Sequence, residues 1–247
     1  MSVLLPFFAI IVLGSIVQSI SGMGFGLVTV PIFVALYGPI EGVLWGNVVG
    51  MITALTLMVQ KRENIDWGIA GRFSLASVPA IVITVLAMRQ LESASLDLYV
   101  GGLMLVMVTF GLVAPKLPEA NGKIYDYITG FVGGFLSASV AQSGPAMTAY
   151  AQATRWNQLK FAATLQPYFL AMNVVNIPLK MTVSIDRASS TLSIPTLLIG
   201  AMGIAAGTLL AKRLIAFVSA QTARKFAMAV AFVGATLVLF RGLTALI

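Results

Sequence analysis

The sequence is 247 residues long, 59% hydrophobic and only 9% charged, with a mean hydropathy of +0.97. A water-soluble domain of that size needs far more charge on its surface, so the composition specifies an integral membrane protein. The chain has no cysteine and no histidine, which excludes thiolate and imidazole metal sites, haem ligation, His-based proton relays and the common catalytic triads. The net charge of +7 comes without a basic stripe or an aromatic RNA-binding pattern, so it reads as an orientation signal for the bilayer and not as a nucleic-acid surface. No cofactor, metal or catalytic activity is expected.

The opening "MSVLLPFFAII" lacks the basic region of a signal peptide and reads as a retained first helix. An apolar segment runs from Val3 to Ile20, is broken by "SGMGFG" (Ser21 to Gly26), and resumes as a short stretch from Leu27 to Tyr37. Three longer segments follow, Ile40 to Val59, Gly68 to Met88 and Leu98 to Ala114. After the polar stretch "PKLPEANGK" comes Tyr125 to Ala141, a second break "QSGP", and a short stretch from Ala146 to Thr154. Phe161 to Val183, Leu192 to Ala211 and Phe226 to Leu246 close the chain. The order long, short, long, long, long therefore occurs twice. A shift of 119 positions pairs Gly26 with Pro145, Thr29 with Thr148 and Asn47 with Gln166.

Charge tests the arrangement. If each break is a re-entrant hairpin and the "QKRENIDW" loop is cytoplasmic, Lys61, Arg62, Arg72, Lys116, Lys123, Arg155, Lys160, Lys212, Arg213, Arg224 and Lys225 fall inside. Only Arg89, Lys180, Arg187 and Arg241 fall outside, eleven cations against four. Treating both breaks as ends of full spans divides the cations about evenly, so hairpins are preferred. The expected fold is one all-α membrane domain over residues 1–247. It comprises two inverted-topology repeats, 1–115 and 122–247, joined by a cytoplasmic linker, 116–121. Each repeat is a re-entrant or broken helical hairpin followed by three transmembrane helices, with both chain ends outside. Inverted repeats with discontinuous helices belong to secondary transporters, whose substrate sits near the repeat interface.

On this reading the two breaks place helix N-termini, each worth roughly half a positive charge, at one central region. Gly24, Gly26, Ser143 and Gly144 then offer backbone and hydroxyl donors to an anion. The neutral side chains of Gln18, Ser21, Asn47, Gln142 and Gln166 stand beside them. The competing explanations are a Gly22/Gly26 helix-packing face and interhelical hydrogen bonding by the polar side chains. Every acidic residue, Asp97, Asp126 and Asp186 included, falls in or beside a loop, which disfavours coupling through a buried acid. Arg72 and Lys180 lie near the ends of apolar stretches, where snorkelling is the plainest expectation; Lys180 is also placed to draw anions into an outer vestibule.

The stretches "GMGFGLVTVPIF" and "SASVAQSGPAMTAYAQATRWNQLKFAATLQ" resemble the TauE/SafE family of membrane proteins, the sulfite and organosulfonate exporters. Phe25 stands where that family commonly has glycine, and the second break carries SGP in place of a glycine run. The resemblance implies export of a small sulfur-containing anion across the bacterial cytoplasmic membrane, where composition and spacing alone specify only an anion-suited carrier. An anion channel, a carrier of another small metabolite and a non-transporting scaffold are the alternatives. The expected partners are the anion and the lipid bilayer, and homo-oligomerisation stays open.

Overall fold

The computed structural model describes residues 4–21, 24–113, 118–184 and 194–245. Gly22 and Met23 of the first break, Lys116 in the linker, and Asp186 and Arg187 lie outside the described residues. All regular structure among the described residues is helical, with no strand among them. They form α1 (Leu4–Ser21), α2 (Phe25–Tyr37), α3 (Pro39–Lys61), α4 (Trp67–Arg89), α5 (Ser93–Val113), α6 (Lys123–Val140), α7 (Gly144–Ala153), α8 (Gln158–Ser184), α9 (Ile194–Leu214) and α10 (Ala220–Thr244), with a short 3-10 turn at Arg62–Asn64.

Two elements start well before their apolar runs. α5 begins at Ser93 instead of Leu98, and α10 begins at Ala220 instead of Phe226. In α10 the Ser219 hydroxyl accepts from Thr222 N at 3.1 Å, so a capped polar turn precedes the apolar run.

Both breaks are turns of helical hairpins. In the first, Phe7 stacks on Phe33 with ring centroids 5.3 Å apart, and the Gln18 side chain meets Phe25. These contacts join residues on opposite sides of the turn, so α1 and α2 run antiparallel. In the second, Ala120 N donates to Ala153 O at 2.9 Å and Tyr150 donates to Asp126 at 2.5 Å, which sets α7 back along α6. The turn residues carry the required backbone: Gly24 has φ +131°, and Ala141 takes the left-handed conformation at φ +50°. The short arms, 13 and 10 residues, reach about 20 and 15 Å, well under the ~30 Å hydrocarbon core.

Among the described residues, six helices are long and apolar enough to cross a membrane: α1, α3 (with the turn after it), α4, α5, α9 and α10. α8 is the longest, at 27 residues, but carries Gln166, Asn173, Asn176 and Lys180. It packs against α3 and α4, so these side chains face protein and not lipid.

Close helix pairs form where glycine removes the side chain. α6 lies on α4 through Gly130 and Gly134, where an added Cβ would sit 2.5 Å from Phe73 O and 2.6 Å from Ser77 O. α9 lies on α1 in the same way, through Gly203 and Gly207 against Ile11 and Val12 O. Without a hydrophobic drive between helices in lipid, such backbone approach supplies the packing. α5 pairs with α10, α3 with α8, and α2 with both α3 and α10.

Arginine–aspartate pairs, each a buried carboxylate with a partly exposed guanidinium, fasten the hairpins. Arg241 on α10 binds Asp97 on α5, and its guanidinium also donates to the carbonyls of Val34 and Ala35 at the end of α2. Arg72 on α4 binds Asp126 on α6, which also accepts from Tyr150 on α7. Arg72, a quarter exposed, is held by an ion pair, and Asp97 and Asp126 are buried in the opening turns of their helices, beside the loops that precede them. Each carboxylate is matched by a guanidinium, as burial demands.

Candidate functional site

The hairpin tips meet. A Cβ on Gly26 would sit 3.0 Å from Gln142 Cγ and 3.2 Å from Ala141 O, so the first tip abuts the second with no room for a side chain. Gly46 on α3 backs this junction, a Cβ there falling 3.0 Å from that of Ala141. Gly26 therefore serves close packing between the tips, while Gly22, the other residue of the expected Gly22/Gly26 face, lies outside the described residues.

A cavity of about 120 Å³ lies against the tips. One wall is Thr148, Ala149 and Gln152 of α7; another is Gln166, Phe169 and Asn173 of α8; a third is Asn47, Gly50 and Thr53 of α3. It runs toward Phe110 and Gly111 near the end of α5 and Arg224 in the second turn of α10. Eight of the nine candidate residues line it: Gln18, Gly24, Gly26, Asn47, Gln142, Ser143, Gly144 and Gln166. Ser21 does not; its hydroxyl turns back to Val17 O at 2.7 Å.

Hydrogen bonding sorts these groups into occupied and open. Phe25 N, the first amide of α2, donates to Gln18 Oε1 at 3.1 Å, so Gln18 caps the helix and spends its carbonyl there. The first helical bonds run from Val28 N to Gly24 O and from Met147 N to Ser143 O. The N–H groups of Gly26 and Leu27 on α2, and of Gly144 and Ala146 on α7, therefore precede any acceptor in their own helices. Neither Gly24 nor Ser143 makes a side-chain cap. Thr29 and Thr148 turn their hydroxyls onto the carbonyls of Phe25 and Gly144.

Three buried side-chain atoms around the cavity have no hydrogen-bond partner among the described residues: Asn47 Nδ2, Gln142 Nε2 and Gln166 Oε1. Gln166 Nε2 is engaged, donating to Ala162 O at 2.7 Å. Two open amide donors thus accompany two helix N-termini. Orphaned buried polar groups of this kind are rare and call for a reason. Among the described lining residues no carboxylate appears, and Arg224 is the one charged group.

Arg224, Asn173 and Thr53 had not stood out in the sequence. Arg224 lies in the polar start of α10, outside its apolar run. Asn173 follows Gln166 by seven positions on α8, a spacing that puts both on one helical face and is visible in the sequence once α8 is a single helix.

An all-helical membrane protein with a polar, carboxylate-free cavity at the junction of two broken helical hairpins is the class that fold and site define. The chain matches the family model described as sulfite exporter TauE/SafE over residues 7–238, and it belongs to that family. Membership implies a membrane exporter of sulfite or a related sulfur-containing anion. No curated protein and no solved structure matches the chain.

Proposed function

We propose that this chain exports a small sulfur oxyanion or organosulfonate across the bacterial cytoplasmic membrane, holding it between the two hairpin tips and releasing it by alternating access. The observation that carries the reading is the pairing of open donors, Asn47 Nδ2 and Gln142 Nε2, with two helix N-termini in a cavity lined by one cation and no acid. Oxyanions accept several hydrogen bonds and donate few, so this donor set suits them. The substrate is held by backbone donors at Gly26 and Gly144 and by Gln142 and Asn47, with Ser143 adding its hydroxyl. Gln18 acts by fixing the α2 terminus.

Two inverted repeats, 1–115 and 122–247 around the linker 116–121, supply the moving parts. Exchanging α1–α5 with α6–α10 turns the α4–α6 pair into α9–α1 and returns the α5–α10 and α3–α8 pairs to themselves, which supports the duplication. The cation bias of the loops supports a cytoplasmic linker with both chain ends outside. On that orientation the cavity mouth at Arg224 faces the cytoplasm, the side from which an exporter loads. An inside-negative potential drives each exported negative charge by about 2.3 kcal/mol per 100 mV, so no coupling acid is required.

The test is flux from proteoliposomes loaded with sulfite or an organosulfonate, with voltage and pH gradient set independently. Efflux that rises with inside-negative potential and is competed only by sulfur oxyanions is the expected result. Absence of flux for any anion refutes the reading.

A further inference from the structure

The polar side chains of α8 continue past the cavity. Gln166, Asn173, Asn176 and Lys180 are separated by seven, three and four positions, which places them within an arc of about 80° on one helix face. All four are buried. Gln166 and Asn173 line the cavity; Asn176 Nδ2 donates at 3.2 Å to Ser137 Oγ, itself a lining residue, and leaves its Oδ1 open. Lys180 lies about 10 Å further along the axis than Asn173. Only 6% of it is exposed, and Nζ has no hydrogen-bond partner among the described residues. Snorkelling is therefore overturned: α3 and α4 pack against α8, and the amine is enclosed by protein.

The contrast with the other cations in the helices is informative. Arg72 and Arg241 each meet an aspartate, whereas no described carboxylate lies within ion-pair distance of Lys180. A buried cation with no fixed counter-charge costs stability. That cost is met where the counter-charge visits during function.

We infer that Lys180 is a second anion station on the export path, about two helical turns beyond Asn173 and about four beyond Gln166 on the outer side, receiving the sulfur oxyanion when the hairpin donors release it. The inference rests on the transport reading above. The stripe through Asn173 and Asn176 places neutral polar groups between the two stations along α8.

The experiment compares full-length wild type, K180M and K180R in two assays: sulfite binding to the detergent-solubilised protein and sulfite efflux from proteoliposomes. K180M is expected to bind sulfite with nearly the wild-type Kd, because the tip site is untouched, and to lose efflux by about tenfold or more, as the loss of a charge-assisted contact predicts. K180R is expected to keep most of the efflux. The Tm of K180M should match or exceed wild type, since an apolar chain replaces an unpaired charge. Wild-type efflux in K180M overturns the assignment, as does a clear fall in its Tm, which would mark a permanent structural partner for Nζ. Failure of the wild type to bind or export any anion instead brings down the transport reading, and the assignment with it.

Discussion

Asn47→Leu separates a binding role for the tip site from a structural one, because the two readings give opposite signs. Asn47 is 2% exposed and its Nδ2 lacks a partner among the described residues. A buried donor left unpaired costs about 1–3 kcal/mol, and a leucine of similar shape removes that cost. For a chain of this size each kcal/mol moves Tm by about 2–4 °C, so ligand-free N47L should melt several degrees above wild type. The same substitution deletes a donor to the anion. Hydrogen bonds to charged groups are worth about 1.5–3 kcal/mol, so the sulfite Kd should rise by roughly 10- to 150-fold. Both quantities come from one assay: thermal unfolding in detergent, followed by fluorescence of the neighbouring buried Trp45, across a sulfite titration. Ligand at about 100 times Kd stabilises by about 2.7 kcal/mol, and that increment should fall to about 0.3–1.4 kcal/mol in N47L at the same concentration. A lower Tm together with an unchanged sulfite response would refute the argument and assign the amide to packing.

Arg224→Gln should raise the KM for efflux while leaving kcat nearly unchanged, and should flatten the dependence of KM on ionic strength, because a charge at the mouth concentrates anions without holding them; initial rates at two salt concentrations test it. Asp126→Asn should cost about 1–3 kcal/mol by weakening its links to both Arg72 and Tyr150, seen as a Tm lower by several degrees. Gly134→Val should abolish the yield of monodisperse protein, since even a Cβ would press to 2.6 Å from Ser77 O on α4, where only backbone could move.

The helix order was legible because apolar length is a local property, and the breaks were legible because Gly24, Gly26 and Gly144 interrupt it. What hydropathy missed were polar first turns: Ser219 caps a helix whose opening residues include Arg224, and Asp97 is tolerated inside α5 only because Arg241, 144 positions away, reaches it. No local signal carries such a pair. The same limit applies to Lys180, whose place near the end of an apolar run suggested snorkelling until the packing of α3 and α4 on α8 enclosed it. The cavity residues were largely anticipated because they cluster about the breaks. Ser21 escaped because its hydroxyl reaches Val17 O, the backbone of its own helix.

The two arginine–aspartate clamps hold the hairpins at their bases, at Val34 and Ala35 in one and at Asp126 and Tyr150 in the other, while the tips meet at Gly26, Ala141 and Gln142. The two arms differ in how they are held: α2 is packed along its length, Pro31 lying on Gly234 of α10 and Val34 on Gly42 of α3, whereas α7 has its firmest anchor at Tyr150. The tip at Gly144 is about 9 Å from that anchor, so a pivot of about 15° would move it roughly 2.3 Å. On the alternating-access proposal such a swing would part the tips with the Arg72–Asp126 pair intact. The stiffness of that gate would then be set by uncharged contacts at the glycine seam, and its opening rate should be almost indifferent to salt.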